Sequence, residues 1–352
     1  MNQQNGVIGL VGDVMIETPT VRSRRTSVPA FDAALIALAE NEVVIANLEM
    51  PLSNRGYRVP KHSNLRSTPE VIDDIVAMDI DAVSLANNHM MDYGPDALYD
   101  TLAACEHGNL LSCGAGKDLD AALAPVILDS SAGRIGLISM SSTLPIESDA
   151  GPGKPGIAPV RVEFAFEIDS NLLLEQPGTM PIVRSWTNVE DQSRVCTAIR
   201  ELKQQVDLVI VAIHWGVPPY WLSPNQGLLA QYQQPLGRAL IDAGADVVCG
   251  HHAHVLHPIE IYNGRPILYS LGNFVFHNPR AFMEPESVIV SITPGNQLGI
   301  ELTPTWVDDD GFPQLVTGDC AESVFAKLEA MSTPFGTRFE RSGDRARVCV
   351  NA

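Results

Sequence analysis

Six apolar runs rich in β-branched residues punctuate the chain, at residues 7–11, 43–46, 82–85, 135–140, 208–213 and 247–249. Several are hydrophobic almost without interruption, the pattern of strands buried on both faces. Between them lie stretches of helical period at residues 31–40, 69–78 (behind Ser67-Thr68 as cap), 95–107, 189–206 and 228–243, the last closed by Gly244. Strand and helix in alternation predict an α/β layered fold. Residues 144–185 break the rhythm with a Gly/Pro-rich tract and read as one long excursion, a lid. From Pro258 the signals turn antiparallel: Asn263-Gly264 between two short apolar runs marks a hairpin, strands continue over 288–316, and a late helix falls at 323–331.

Composition narrows the function classes. In 352 residues, 42 Asp and Glu outnumber 23 Lys and Arg, a net charge of −19. Such a chain is repelled by nucleic acid and anionic lipid, since phosphate contacts draw on Lys and Arg. The expectation is neither a nucleic-acid nor a membrane partner. The apolar stretch 206–215 is interrupted by Asp207 and His214, and is far short of the ~20 residues a membrane helix needs. No basic residue precedes Arg22, so no signal peptide is expected. Six cysteines are scattered without CxxC spacing, which fits reduced thiols in a cytoplasm.

The chemistry-bearing residues cluster just after the apolar runs. Asp13 follows the first, Asn47 and Glu49 the second, Asn87, Asn88 and His89 the third, His214 the fifth, and His251, His252 and His254 the last. In open α/β sheets this carboxyl edge is where ligands bind. Taken singly, Asp13 is an ordinary turn or cap residue and His89 or His214 an ordinary structural histidine. Three histidines within 251–254 serve no packing purpose. Imidazole, carboxylate and amide donors without thiolate suit Mn, Fe or Zn, as one ion or two. Such ions lower the pKa of a bound water to about 7, which is hydrolytic chemistry.

Five segments carry a resemblance: GDVM (12–15), ANLEMPLS (46–53), SLANNHMMDYG (84–94), IHWG (213–216), and the long run at 242–276 containing GHHAH and YSLGNF. They resemble the CapA family of poly-γ-glutamate capsule synthesis proteins, related to the calcineurin-like metallophosphoesterases. The resemblance implies a four-layer α/β/β/α sandwich, metallophosphoesterase-like, over residues 1–290, with residues 291–352 completing the same domain. It implies metal ligands at Asp13, Asn47 or Glu49, Asn88, His214, His252 and His254, and it makes His89 the acid or charge-stabilising group. Asp92 is grouped with His89. Met15 stands where phosphoesterases place a histidine, so an amide bond, γ-glutamyl-like or cyclic, is preferred over a phosphoester. The expected partner is a small or polyglutamate-like carboxylate substrate. Arg66, with Lys61 and His62 in the same loop, is expected to pair with its carboxylate, and His251, Tyr220 and Asn273 complete the expected substrate contacts. A non-catalytic accessory role in polymer synthesis or export is the alternative of a different class.

Overall fold

Successive residues of a strand point to opposite faces, and the strand Leu208–His214 shows what that accomplishes here. Leu208, Ile210 and Ala212 join one apolar cluster, while Val209, Val211 and Ile213 join another on the opposite side. A strand with helices on one face and a second sheet on the other must be apolar throughout. The computed structural model describes residues 4–216, 229–277 and 283–350.

Two large sheets organise these residues. The first runs in the spatial order Phe339–Ser342, Arg345–Val348, Gly299–Val307, Glu286–Thr293, Gln4–Met15, Asn41–Leu48, Ala82–Ser84, Leu111–Cys113. Asn273–Phe276 also pairs with Gln4–Met15, and Pro313–Leu315 with Gly299–Val307. The strands from Gln4–Met15 to Leu111–Cys113 are parallel, as is Asn273–Phe276, whereas the later strands are antiparallel. The second sheet is Ile259–Tyr262, Arg265–Leu268, Val247–His251, Leu208–His214, Gly133–Ser141, Val126–Ser130, parallel at its centre and antiparallel at both edges. The protein is thus a mixed α/β fold.

One cluster holds Ile8, Leu10 and Ile45 of the first sheet together with Leu137, Ile210 and Val247 of the second. Another sets Phe31, Leu35, Ile75 and Leu98, from helices Pro29–Leu38, Ile72–Ala77 and Gly94–His107, against Val11, Val44 and Val83. A third joins Val195, Ile199, Leu236 and Leu240, from helices Val189–Lys203 and Gln233–Asp242, to Ile138, Val209 and Val248. No helix among the described residues is long and apolar enough to cross a membrane.

The structure corrects the sequence expectation in three places. The helix expected at 228–243 begins at Gln233, which leaves Pro235 in its first turn, where a missing N–H costs nothing. The helix expected at 69–78 splits into a 3-10 turn, Pro69–Val71, and the helix Ile72–Ala77. The excursion 144–185 is two structures. Its first part is fixed to the body: Gly156–Ile157 pairs with Ala115–Gly116, and Ile157, Ala158 and Val160 are buried. Its second part is an exposed hairpin, Val162–Glu167 with Ile182–Thr187. Asn263-Gly264 does turn the hairpin expected of it, with φ of 50° and 72°.

Candidate metal centre

The carboxyl ends of the parallel strands of both sheets meet at one spot. Register places Asp13 beside Asn47 on one side and Asn273 on the other, and places His214 beside His251. Gly12 is required for this approach, because a Cβ there would lie 1.9 Å from the Gly272 carbonyl oxygen. Asp13 N–H donates to that same oxygen at 3.2 Å. Beyond the second sheet, the chain turns sharply: His252 and His254 have φ of 97° and 56°, left-handed values that a β-carbon disfavours. Strain of this kind persists where the surroundings hold a side chain in a set direction.

The first sheet contributes Asp13, Glu49 and the turn with Asn88, and the second contributes His214, His252 and His254. His254 Nδ1 lies 3.4 Å from Asp13 Oδ2, and His254 Nε2 lies 3.6 Å from Glu49 Oε1. His214 Nε2 is 3.7 Å from the same Glu49 oxygen, 3.1 Å from His252 Nδ1 and 2.7 Å from Asn88 Oδ1. Two sets, Glu49–His252–His254 and Asp13–Glu49–His214, each bring three donor atoms within 4.8 Å of one another. Glu49 belongs to both.

Electrostatics single out the same residue. Glu49 is fully buried, and neither of its carboxylate oxygens meets a hydrogen-bond donor. Burial, and then the charge of Asp13, push its carboxyl well above the ordinary range, and burial raises Asp13 too. Burial holds His214 and His252 well below the usual imidazole value and lowers His254. Neutral imidazoles carry the lone pair a metal needs. Burial outweighs the favourable charge of Lys61 on Glu49 and of His254 on Asp13, so two carboxyls beside three neutral imidazoles form a costly interior that a divalent cation would relieve. The donor set is nitrogen and oxygen without thiolate, so the residues fit such an ion.

Asn47 and Glu49 have different tasks. Asn47 Nδ2 donates to Asp13 Oδ1 at 2.8 Å, and its Oδ1 accepts from Asn87 Nδ2 at 3.2 Å. Its amide is spent orienting Asp13, while the Glu49 carboxylate belongs to both three-donor sets that could hold a cation. His89 stands beside the cluster: Nε2 is 3.9 Å from Glu49 Oε1 and Nδ1 is 2.6 Å from Asp92 Oδ2.

Other expected substrate contacts are placed elsewhere. His251 turns Nε2 to the Val11 carbonyl at 3.3 Å and to Cys249 Sγ at 3.8 Å, a buried ring between strands whose pKa burial drops to about 4. Asn273 is buried with Oδ1 2.9 Å from His254 Nδ1, so it orients that ring. Lys61 is committed internally to Asp92 and Asn88. Arg66 remains exposed, its guanidinium 4.1 Å above the Tyr93 ring. Tyr220 lies outside the described residues. Sequence reasoning placed Asn87 at this strand end but gave it no task; it also donates to the Leu48 carbonyl and accepts from His89 N–H. No spacing in the sequence separates its role from that of its neighbour Asn88.

The family described as bacterial capsule synthesis protein PGA_cap matches residues 7–278, a span that contains every residue of this cluster. The chain belongs to that family. It is 32% identical over 272 residues to the PGA biosynthesis protein CapA of Bacillus subtilis, covering 76% of this chain and 62% of that protein. It is 30% identical over 249 residues to a probable polyglutamine synthesis accessory protein of Mycobacterium tuberculosis, covering 68% and 58%. A longer alignment, 26% identical and covering 93% and 89%, joins it to the protein y4sH of Sinorhizobium fredii.

Proposed function

We propose that this PGA_cap chain is a metal-dependent hydrolase that cleaves an amide bond, γ-glutamyl-like or cyclic, in a carboxylate substrate. The carrying observation is the buried Glu49 carboxylate, without a donor on either oxygen, set among Asp13, His214, His252 and His254. Those residues, with Asn88, would hold one or two divalent ions of Mn, Zn or Fe. When bound, such ions supply Lewis-acid polarisation and acidify water to a pKa of about 7.

The chain's own groups supply the rest. His89 is bonded to Asp92 through Nδ1, so its Nε2 is the ring atom available to exchange a proton with a leaving group or to hold charge on the attacked centre. The buried Phe276 ring packs edge-on against His254, centroids 4.8 Å apart, and keeps water from that side of the cluster. The sheet-and-helix stacking favours a four-layer α/β/β/α sandwich in which residues 291–352 complete one domain with the rest. The free thiols favour a reducing, cytoplasmic setting.

A second reading, a non-catalytic accessory of polyglutamate synthesis, draws on the printed description of the mycobacterial relative. Purified full chain, supplied with manganese or zinc and tested on γ-glutamyl amides, cyclic amides and phosphodiesters, separates these. Metal-dependent amide cleavage is expected. Cleavage of phosphodiesters alone makes it a phosphoesterase, and metal binding with no cleavage favours the accessory role.

A further inference from the structure

The loop between Pro51 and Ser67 folds across the turn that carries Asn88 and His89, and buries a cation there. Lys61 Nζ donates to Asp92 Oδ1 at 2.6 Å and to the Asn88 carbonyl at 2.5 Å, and lies 3.2 Å from His89 Nδ1. Its side chain is only 17% exposed. Burying an ammonium is costly unless each proton finds an acceptor, so a lysine in this position asks for a reason.

Asp92 supplies it. Its Oδ1 accepts from Lys61; its Oδ2 accepts from Leu65 N–H at 2.7 Å and stands 2.6 Å from His89 Nδ1. Taking one hydrogen bond from an ammonium and another from a backbone N–H, the Asp92 carboxylate acts as the acceptor in its contacts. The proton in the short contact to His89 therefore belongs to Nδ1. That assignment leaves Nε2 of the neutral ring with its lone pair on the side of Glu49, 3.9 Å away. The His89 backbone is held as well, through its N–H to Asn87 Oδ1 at 3.1 Å.

We propose that Lys61 is a positioning residue for His89: by holding Asp92 in place it fixes the Nδ1–H tautomer and aims Nε2 at the Glu49 side of the site. Its effect on turnover rests on the hydrolase reading above, but the tautomer does not.

The test is a long-range proton–nitrogen correlation spectrum of full-length protein labelled with ¹⁵N-histidine, with and without zinc, His89 being assigned by its loss in His89→Ala. The wild type should show His89 protonated at Nδ1 alone. Lys61→Met should mix the tautomers, and Lys61→Arg should retain the wild-type pattern. Asp92→Asn, which leaves the charge of Lys61 in place, should lose the signature too, so the idea stays testable if Lys61→Met folds poorly. On any substrate the wild type cleaves, Lys61→Met should lower kcat about 10–100-fold with KM little changed, and Lys61→Arg should recover most of it. A wild-type His89 protonated at Nε2, or an unaltered His89 pattern in folded Lys61→Met, overturns the proposal. Absence of any wild-type turnover counts against the hydrolase reading alone, and the spectra then decide Lys61.

Discussion

Glu49 and His254 meet across the two sheets, with Oε1 of one 3.6 Å from Nε2 of the other and both side chains buried. Glu49 follows the strand Asn41–Leu48 of the first sheet, and His254 lies just beyond Val247–His251 of the second. Their approach ties the packing of the sheets to the chemistry, because the residues that close this end of the fold are the residues that would hold the metal.

Each imidazole of the pair His252 and His254 belongs to the set that includes Glu49. Replacing either with Ala removes a donor that nothing nearby can replace. His252→Ala and His254→Ala should each lower bound metal sharply, read by elemental analysis of dialysed protein. The apolar clusters do not include these rings, so the fold should persist by circular dichroism.

His89 lies outside both donor sets. His89→Ala should leave metal content at the wild-type level and lower kcat about 10²–10⁴-fold on a cleaved substrate. Unchanged turnover with a lowered melting temperature would reduce His89 to a partner of Asp92. Metal stoichiometry, Tm and turnover measured on one preparation distinguish the two.

Much of this site was legible in the sequence because strand ends converge in a parallel sheet. An apolar run such as 208–213 located its strand, and His214 ends it at the edge where Asp13, Glu49 and His252 also gather. What was not legible depended on side-chain direction. Asn47 and Glu49 are two residues apart, and only the side-chain geometry shows that Asn47 bonds Asp13 and Asn87 whereas both Glu49 oxygens stay without such a bond. Lys61 reaches Asp92 across 31 positions by a loop whose path no periodicity encodes. The tract 144–185 misled because its glycines and prolines signal turns, whereas the small apolar residues among them, Ala150, Ile157 and Ala158, pack into the body.

Distant from the site, Asp191 anchors the start of the exposed hairpin. It accepts from Arg161 Nε and Arg161 N–H at 2.6 and 3.0 Å and from Arg194 at 2.8 Å. Burial alone would raise its pKa, but the bonds from Arg161 and Arg194 outweigh that and lower it. A folded-state pKa below the unfolded value gives stability that is present above the unfolded pKa, about 3.9, and fades as pH falls through the folded one. Asp191→Asn should therefore cost about 1–3 kcal/mol at pH 7 in a chemical denaturation. The gap between variant and wild type should start to narrow as pH falls through about 4 and close only below the lowered folded-state pKa, where Asp191 itself becomes neutral. A gap that stays constant to pH 2 would contradict the assignment.

The central claim is that the Glu49 carboxylate sits buried among Asp13, His214, His252 and His254 to meet a divalent cation. Melting of wild-type and Glu49→Gln protein, stripped and then resupplied with manganese or zinc, tests it most directly. Stripped Glu49→Gln should melt above stripped wild type, since the wild type must either bury the Glu49 charge or take up a proton to neutralise it, and an amide does neither. Metal should raise the wild-type Tm strongly and the variant's little, because ligand that binds only the folded state stabilises in proportion to its affinity. Equal metal-induced shifts in both proteins, or none in the wild type, would contradict the claim.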